Sequence, residues 1–216
     1  AKGVGFADMD GDGTLDVLYT ARGSGYENDL TVGLLYIRRG QGEWKFGPAI
    51  ESLAGRSAYY IEMADLDNDG FPDVLIPNEH DACVTYFINP GKTIFTDNRP
   101  LSPRKVIASQ IPGRRSHAVN DVRAADFNAD GNQDLAVGNE RDNNFSILLG
   151  NGGGSFGSPT NYSVGASPRQ ISVADFDGNG IQDLAVANKS GGNVSILLNE
   201  IAFTTHSLST SANTAT

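Results

Sequence analysis

One acidic nonapeptide occurs four times in this chain, and it constrains the fold more than any other feature. Each copy places an oxygen-bearing side chain at its first, third, fifth and ninth positions and a glycine at its sixth. The copies occupy residues 8–16 (DMDGDGTLD), 65–73 (DLDNDGFPD), 126–134 (DFNADGNQD) and 175–183 (DFDGNGIQD). This pattern is typical of a loop that curls around Ca²⁺, which binds roughly six to eight oxygens.

The spacing of the acidic residues predicts up to four Ca²⁺ ions, one in each loop. The sixth-position glycine supplies the positive φ that the curl requires, and the seventh residue contributes its backbone carbonyl. The third and fourth loops carry one carboxylate fewer, so we expect them to bind more weakly. The predicted ligands are Asp8, Asp10, Asp12, Thr14 and Asp16; Asp65, Asp67, Asp69, Phe71 and Asp73; Asp126, Asn128, Asp130, Asn132 and Asp134; and Asp175, Asp177, Asn179, Ile181 and Asp183.

The residues that follow each loop predict a strand and exclude an EF-hand. An EF-hand loop ends with a bidentate glutamate at position twelve, inside a helix. The twelfth residues here cannot chelate a cation; they are Tyr19, Ile76, Val137 and Val186. Short apolar runs (DVLYT, DVLIP, DLAVG, DLAVA) follow the ninth positions and favour strands.

The spacing between copies predicts an all-β protein built as a β-propeller with four antiparallel strands in each blade. The copies start 57, 61 and 49 residues apart, a period typical of propeller blades. Runs such as NVSILLN are apolar on both faces, which favours blades packed between two neighbours over a sandwich. We predict blades at about 1–57, 58–115, 116–165 and 166–206, insertions at 21–33 and 96–115, and a flexible tail or linker at 207–216.

The charge pattern excludes several classes of function. The formal net charge is −10, and the four loops hold 14 of the 26 acidic residues, so four Ca²⁺ ions would reduce it to −2. An acidic chain binds nucleic acid poorly, because phosphate binding depends on clustered Lys and Arg. No apolar run is long enough for a membrane helix. The single Cys83 allows no intrachain disulfide. Because the chain begins AKGVGF, without Met or a leader, we expect a mature form or a piece of a longer protein.

The chain resembles the FG-GAP and VCBS repeat proteins, the group that includes the propeller of integrin α subunits. The resemblance rests on VADFDGNGIQDLAVAN, AADFNADGNQDLAVGN and the Phe-Gly pairs Phe46-Gly47 and Phe156-Gly157. The other two blades depart from it with Phe95-Thr96 and Phe203-Thr204. The resemblance implies a propeller that binds Ca²⁺ between the first and second strands of each blade, in an extracellular or cell-surface protein.

Four blades can close into a ring in principle, but the same resemblance favours an incomplete propeller. Members of the group usually have seven or eight blades, whereas this chain has four, so we expect a partial propeller. Its two terminal blades would then expose apolar faces and strand edges, and we expect the chain to associate with itself.

No catalytic set is visible in the sequence, so we expect a protein that is not an enzyme. His80, His117 and His206 share no spacing, and every close pair of acidic residues belongs to a metal loop. We therefore predict a non-catalytic module for extracellular recognition or adhesion, with a glycan or a protein as its ligand. Two alternatives are the propeller of a polysaccharide-active lyase or hydrolase and a structural spacer in a long surface protein.

Overall fold

The computed structural model describes residues 2–22, 32–97, 99–106, 119–202 and 205–209. They form four antiparallel sheets of four strands, each continuous in sequence, which we call blades 1 to 4. Blade 1 contains β1 (Val4–Ala7), β2 (Asp16–Arg22), β3 (Val32–Gly40) and β4 (Phe46–Arg56); blade 2 contains β5 (Glu62–Ala64), β6 (Asp73–Asn78), β7 (Cys83–Phe87) and β8 (Arg104–Val106). Blade 3 contains β9 (Val119–Ala125), β10 (Asp134–Asn139), β11 (Asn144–Leu148) and β12 (Thr160–Ser163); blade 4 contains β13 (Pro168–Ala174), β14 (Asp183–Asn188), β15 (Asn193–Ala202) and β16 (Thr205–Ser209).

Helical structure within these ranges is limited to one turn of α-helix, α1 (Ile94–Asp97), and the 3₁₀ turns Gly91–Thr93 and Glu140–Asp142. None of these segments could cross a membrane. Most of the two predicted insertions lies outside the described residues, as does 210–216 of the predicted tail. Residues 207–209 belong to β16.

The inner strands of blades 2 and 3 are buried on both faces, as their apolar runs predict, whereas Val194 in the NVSILLN run of the terminal blade 4 is exposed. Every residue of β6, β7 and β10 is buried, although side chains alternate between the two faces of a strand. A strand with two buried faces needs a sheet packed against each side of it. The prediction of an all-β fold made of propeller blades is therefore confirmed, with the four blades forming a partial propeller.

Among the described residues, three apolar clusters join successive blades. Leu18, Leu35 and Phe87 belong to the cluster between blades 1 and 2, and Leu75 and Leu135 belong to the cluster between blades 2 and 3. The third cluster repeats the arrangement between blades 3 and 4. The first strands of neighbouring blades, such as β9 and β13, lie against each other. The first strand of each sheet therefore lies on the side of the propeller axis.

The four acidic loops lie at one end of the blades. Each loop joins the first strand of its blade to the second, so it follows the end of β1, β5, β9 or β13. The turn between the second and third strands lies at the opposite end, because neighbouring strands are antiparallel. A buried asparagine supports that opposite end in blades 2 to 4. Its side-chain amide donates to a hydroxyl on the third strand, in the pairs Asn78 and Thr85, Asn139 and Ser146, and Asn188 and Ser195.

Candidate metal centres in the four acidic loops

The first aspartate of every loop closes the curl from inside. One of its carboxylate oxygens accepts the amide of the fifth residue and the other accepts the amide of the sixth, at N···O distances of 2.7–3.2 Å. The sixth residue is the glycine that the sequence pattern requires. It has a φ of +84°, +88°, +86° and +86° at Gly13, Gly70, Gly131 and Gly180, where an L side chain would be strained.

The ninth aspartate of every loop fastens the loop to the third strand of its blade. All four are fully buried: Asp16, Asp73, Asp134 and Asp183. One carboxylate oxygen accepts the amide of the second loop residue at 2.8–2.9 Å. The other accepts a second backbone amide at 2.7–2.8 Å, from Gly40, Asn89, Gly150 and Asn199 respectively. Gly40 ends β3, Asn89 and Gly150 lie just beyond β7 and β11, and Asn199 lies within β15. We call this arrangement the aspartate clamp.

The second loop residue also connects its blade to the next one. Its carbonyl accepts a hydrogen bond from the following blade in each of the first three loops. The Asn89 side chain donates to the Met9 carbonyl at 2.8 Å, and the Asn199 side chain donates to the Phe127 carbonyl at 2.7 Å. In blade 2 the acceptor is the Leu66 carbonyl, which is 3.1 Å from the backbone amide of Gly154. The clamp therefore links loop, third strand and neighbouring blade.

Three loops bring acidic side chains together closely enough to hold a cation. In each, one carboxylate oxygen from the first, third and ninth positions lies within 4.8 Å of the others. These groups are Asp8, Asp10 and Asp16; Asp65, Asp67 and Asp73; and Asp175, Asp177 and Asp183. In the third loop Asn128 stands at the third position, and its side-chain amide donates to Asp130 at 2.8 Å. The fifth and seventh residues of all four loops remain predicted ligands.

The second loop fits a cation best. Asp67 Oδ1 is buried and has no hydrogen-bond partner among the described residues. Burial, together with the nearby Asp69 and Asp65, raises the pKa of Asp67. Burial also raises the pKa of Asp73 to about 6, although two amides bind its carboxylate. A divalent cation would supply the missing partner and neutralise the crowded carboxylates.

The first loop has an arginine beside it, which its acidic pattern does not predict. Arg39 Nε lies 3.0 Å from Asp10 Oδ2, and Arg39 Nη2 lies 2.9 Å from Asp12 Oδ2. Arg39 directly precedes Gly40, whose amide binds the clamp aspartate. The residues at the same position in blades 2, 3 and 4 are Ile88, Leu149 and Leu198. Aligning the blades on their third strands would have revealed this difference.

A family model described as an FG-GAP-like repeat matches residues 8–76 and 126–186, more than half of the chain. This chain belongs to the FG-GAP-like repeat family. The match covers the acidic loops of blades 1 to 4 and at least the first four residues of the strand that follows each loop. No curated protein matches the chain.

Solved structures similar to this FG-GAP-like repeat protein include a lectin of Agrocybe aegerita, reported with specific recognition of non-reducing terminal N-acetylglucosamine. The lectin is 17% identical and has a TM-score of 0.55, and the match covers 90% of this chain and 48% of the lectin. The Tc holotoxin pore of Photorhabdus luminescens is 15% identical at a TM-score of 0.43, over 86% of this chain and 11% of the toxin chain. This chain thus spans about half the lectin's length, and the lectin likeness supports the fold alone.

The clamp predicts that two carboxylates of one loop have different effects on stability. In protein freed of metal by EDTA, Asp73→Ala should lower the free energy of unfolding by about 2–5 kcal/mol, because two buried amides lose their acceptor. Asp67→Ala should change it by less than about 1 kcal/mol, because Asp67 Oδ1 has no partner to lose. Urea unfolding of the two variants measures both values, and equal losses would contradict the clamp.

Proposed function

We propose that this protein is a calcium-stabilised propeller module for recognition outside the cell. The observation that supports calcium most strongly is the second loop, where three carboxylates converge and one buried oxygen has no partner. Ca²⁺ supplies positive charge and accepts oxygen ligands without demanding a rigid geometry. The predicted ligands at the first, third, fifth and ninth positions and the seventh carbonyl would hold it.

In this proposal calcium acts on folding and not on a reaction. The clamp and the first-position hydrogen bonds organise each loop, while the ion removes the repulsion among its carboxylates. The acidic groups serve loop structure, and so the protein is proposed to lack enzymatic activity. The alternative of a propeller in a polysaccharide-active enzyme would require a separate group of acid, base and arginine side chains.

The proposed role is recognition of a glycan or protein ligand at the cell surface or in the extracellular space. Membership of the FG-GAP-like repeat family and the lectin of similar fold support this role. The net charge of −10 argues against nucleic acid as a ligand. A structural spacer in a longer surface protein is the second candidate, and the absence of any binding to glycans and proteins would favour it.

Calcium should raise the melting temperature of this protein. A ligand present at about a hundred times its dissociation constant stabilises the folded state by about 2.7 kcal/mol per site. Differential scanning calorimetry of EDTA-treated protein, with and without millimolar Ca²⁺, measures the effect, and Mg²⁺ at equal concentration is the control. An unchanged melting temperature in protein verified to be free of metal beforehand would refute the proposal.

Arg39 is proposed to weaken calcium binding at the first loop. Its guanidinium already neutralises part of the charge of Asp10 and Asp12, and it must give up those contacts when an ion competes for the same oxygens. The second loop carries aspartates at the same four positions of the nonapeptide, and blade 2 has Ile88 where blade 1 has Arg39. We therefore expect the second loop to bind calcium more tightly than the first.

Replacing Arg39 should make the first loop a stronger calcium site. Arg39→Leu, which introduces the residue found in blades 3 and 4, should raise its affinity about three- to tenfold, the range expected for losing two ion pairs made by a solvent-exposed arginine. Lys45→Gln removes a nearby cation that pairs with Glu43 and should have little effect. A calcium titration followed by NMR at the Gly13 amide reports on this loop, and equal affinities in all three proteins would contradict the role of Arg39.

Self-association is proposed through the uncovered faces of blades 1 and 4. In blade 3, Phe145 and Ile147 are 0% and 7% exposed because blade 4 covers them. In blade 4, the register of β14 and β15 places Val194 and Ile196 at the positions that correspond to Phe145 and Ile147. Val194 is 47% exposed. Blade 1 exposes Phe6 on the other side. A second copy can supply the blade face that covers each of them.

The uncovered face of blade 4 predicts that the protein forms an oligomer and that a single substitution in this face weakens the association. Light scattering coupled to size-exclusion chromatography should give a mass above that of one chain for the wild type. Val194→Glu should shift the mass toward the monomer, because it places a charge in the proposed contact. Thr160→Glu, on the exposed outer strand of blade 3, is the control. A monomeric wild type at high concentration, or equal masses for all three proteins, would overturn the proposal.

A further inference from the structure

A cavity of about 430 Å³ lies near the propeller axis, at the end of the blades opposite the acidic loops. Its lining comes from the residues just before β5 and from the starts of β9 and β13. These are the first strands of blades 2, 3 and 4, so the cavity spans three blades. The residues that matter for its chemistry are Tyr60, Asn120, Asp121, Arg123, Arg169 and Gln170.

One wall of the cavity is a rigid charged pair. Asp121 is 3% exposed, and its carboxylate accepts the amides of Ile171 at 2.8 Å and Val122 at 3.1 Å. Arg123 Nη2 lies 3.3 Å from Asp121 Oδ2, and Arg123 Nε donates to the Ile171 carbonyl at 2.9 Å. Arg123 Nη1 also donates to Glu62 at 2.8 Å. These contacts fix the guanidinium and carboxylate without using all of their hydrogen-bonding capacity.

The second wall of the cavity carries hydrogen-bond donors of Asn120 and Arg169. Two of these donors are bound by a carboxylate, and one has no partner among the described residues. Glu140 accepts the Asn120 side-chain amide at 2.6 Å and Arg169 Nη2 at 3.0 Å. Arg169 Nε is buried and has no hydrogen-bond partner among the described residues. Gln170, at the start of β13, is exposed and adds a side-chain amide with both donors and an acceptor. Around the cavity, the side chains of Asn120 and Arg169 are thus held in place, and Gln170 adds a donor and an acceptor from an exposed position.

The rim of the cavity carries an exposed aromatic ring. Tyr60 is 58% exposed, whereas the neighbouring Tyr59 ring is covered by Lys2 Nζ, 3.5 Å from its centroid. An exposed ring beside organised polar groups provides an apolar surface and a hydroxyl at one place. That combination suits a ligand with apolar C–H faces and many hydroxyl groups.

The charges around the cavity disfavour an anionic ligand. Acidic side chains outnumber basic ones, and both arginines are already paired with carboxylates. The arginines are Arg123 and Arg169, and the acidic residues are Glu62, Glu79, Asp121 and Glu140. A phosphate, sulfate or uronate group would therefore meet net negative charge.

We propose that this axial cavity binds one neutral saccharide unit, with Tyr60 packing against the sugar ring and Gln170 and Arg169 bonding its hydroxyl groups. This proposal rests on the proposed recognition function, and it locates ligand binding at the end of the blades opposite the acidic loops. Cavities of a few hundred Å³ with a few convergent polar groups are typical of small-ligand sites. The acidic loops then support the blades from one end while the ligand binds at the other.

The test measures binding of the calcium-loaded protein to an immobilised array of neutral, amino, sulfated and uronate glycans. Tyr60→Ala and Gln170→Ala should each weaken binding to a neutral glycan at least about tenfold, the change expected from losing a stacked ring or a pair of hydrogen bonds. Both side chains are exposed, so these variants should fold. Trp44→Ala is the matched control, because Trp44 is an 88% exposed aromatic residue at the loop end.

The outcomes separate this site from the wider function. Neutral-glycan binding that both cavity variants retain at wild-type strength would overturn the cavity and leave the recognition function standing. A loss in Trp44→Ala alone would place the ligand at the loop end and also overturn it. Binding only to sulfated, uronate or amino glycans would refute the neutral saccharide. A wild type that binds no glycan would overturn both this site and the glycan form of the proposed function.

Discussion

The aspartate clamp is the interaction on which the rest of this structure depends. In every blade a fully buried carboxylate accepts two backbone amides, one from the acidic loop and one from the third strand or the residues just after it. Burial of a charged group is costly without such partners, and the pKa of Asp73 and Asp134, raised to about 6, shows that burial outweighs the lowering effect of the amides. A cation beside each clamp would favour the ionised form that the amides require.

The clamp also explains why the loops and the blade contacts are coupled. The second residue of a loop donates its amide to the clamp and, in the first three loops, accepts a hydrogen bond from the next blade through its carbonyl. A change in the backbone of a loop therefore alters the hydrogen bond that joins its blade to the next one. The loop end is built for this structural coupling, whereas the opposite end carries the polar axial cavity.

The fold followed from the sequence because its strongest signals are local. The nonapeptides and the apolar runs on both faces predicted strands, loops and blades, and the glycine at the sixth position predicted the positive φ of each curl. The second amide of each clamp could not be predicted, because it depends on how the third strand pairs with the second. Gly40, for example, is 24 residues from Asp16, and the insertion between them hides the register. Arg39, which precedes Gly40, was missed for the same reason. Asp121 and Arg123 are instead a local pair, two residues apart on one face of β9, but nothing in the acidic repeat pattern points to them.

Hydrogen exchange of backbone amides, measured by NMR in metal-free protein, tests the clamp most directly. The account predicts slow exchange at the second loop residues and at their partners on the third strands even in EDTA, because a buried carboxylate holds them. Amides of the fifth to seventh loop residues, whose hydrogen bonds to side chains are exposed to solvent, should exchange quickly in EDTA and slow down when calcium is added. Fast exchange at Leu66 and Asn89 in EDTA, within a blade whose strands remain protected, would contradict the account.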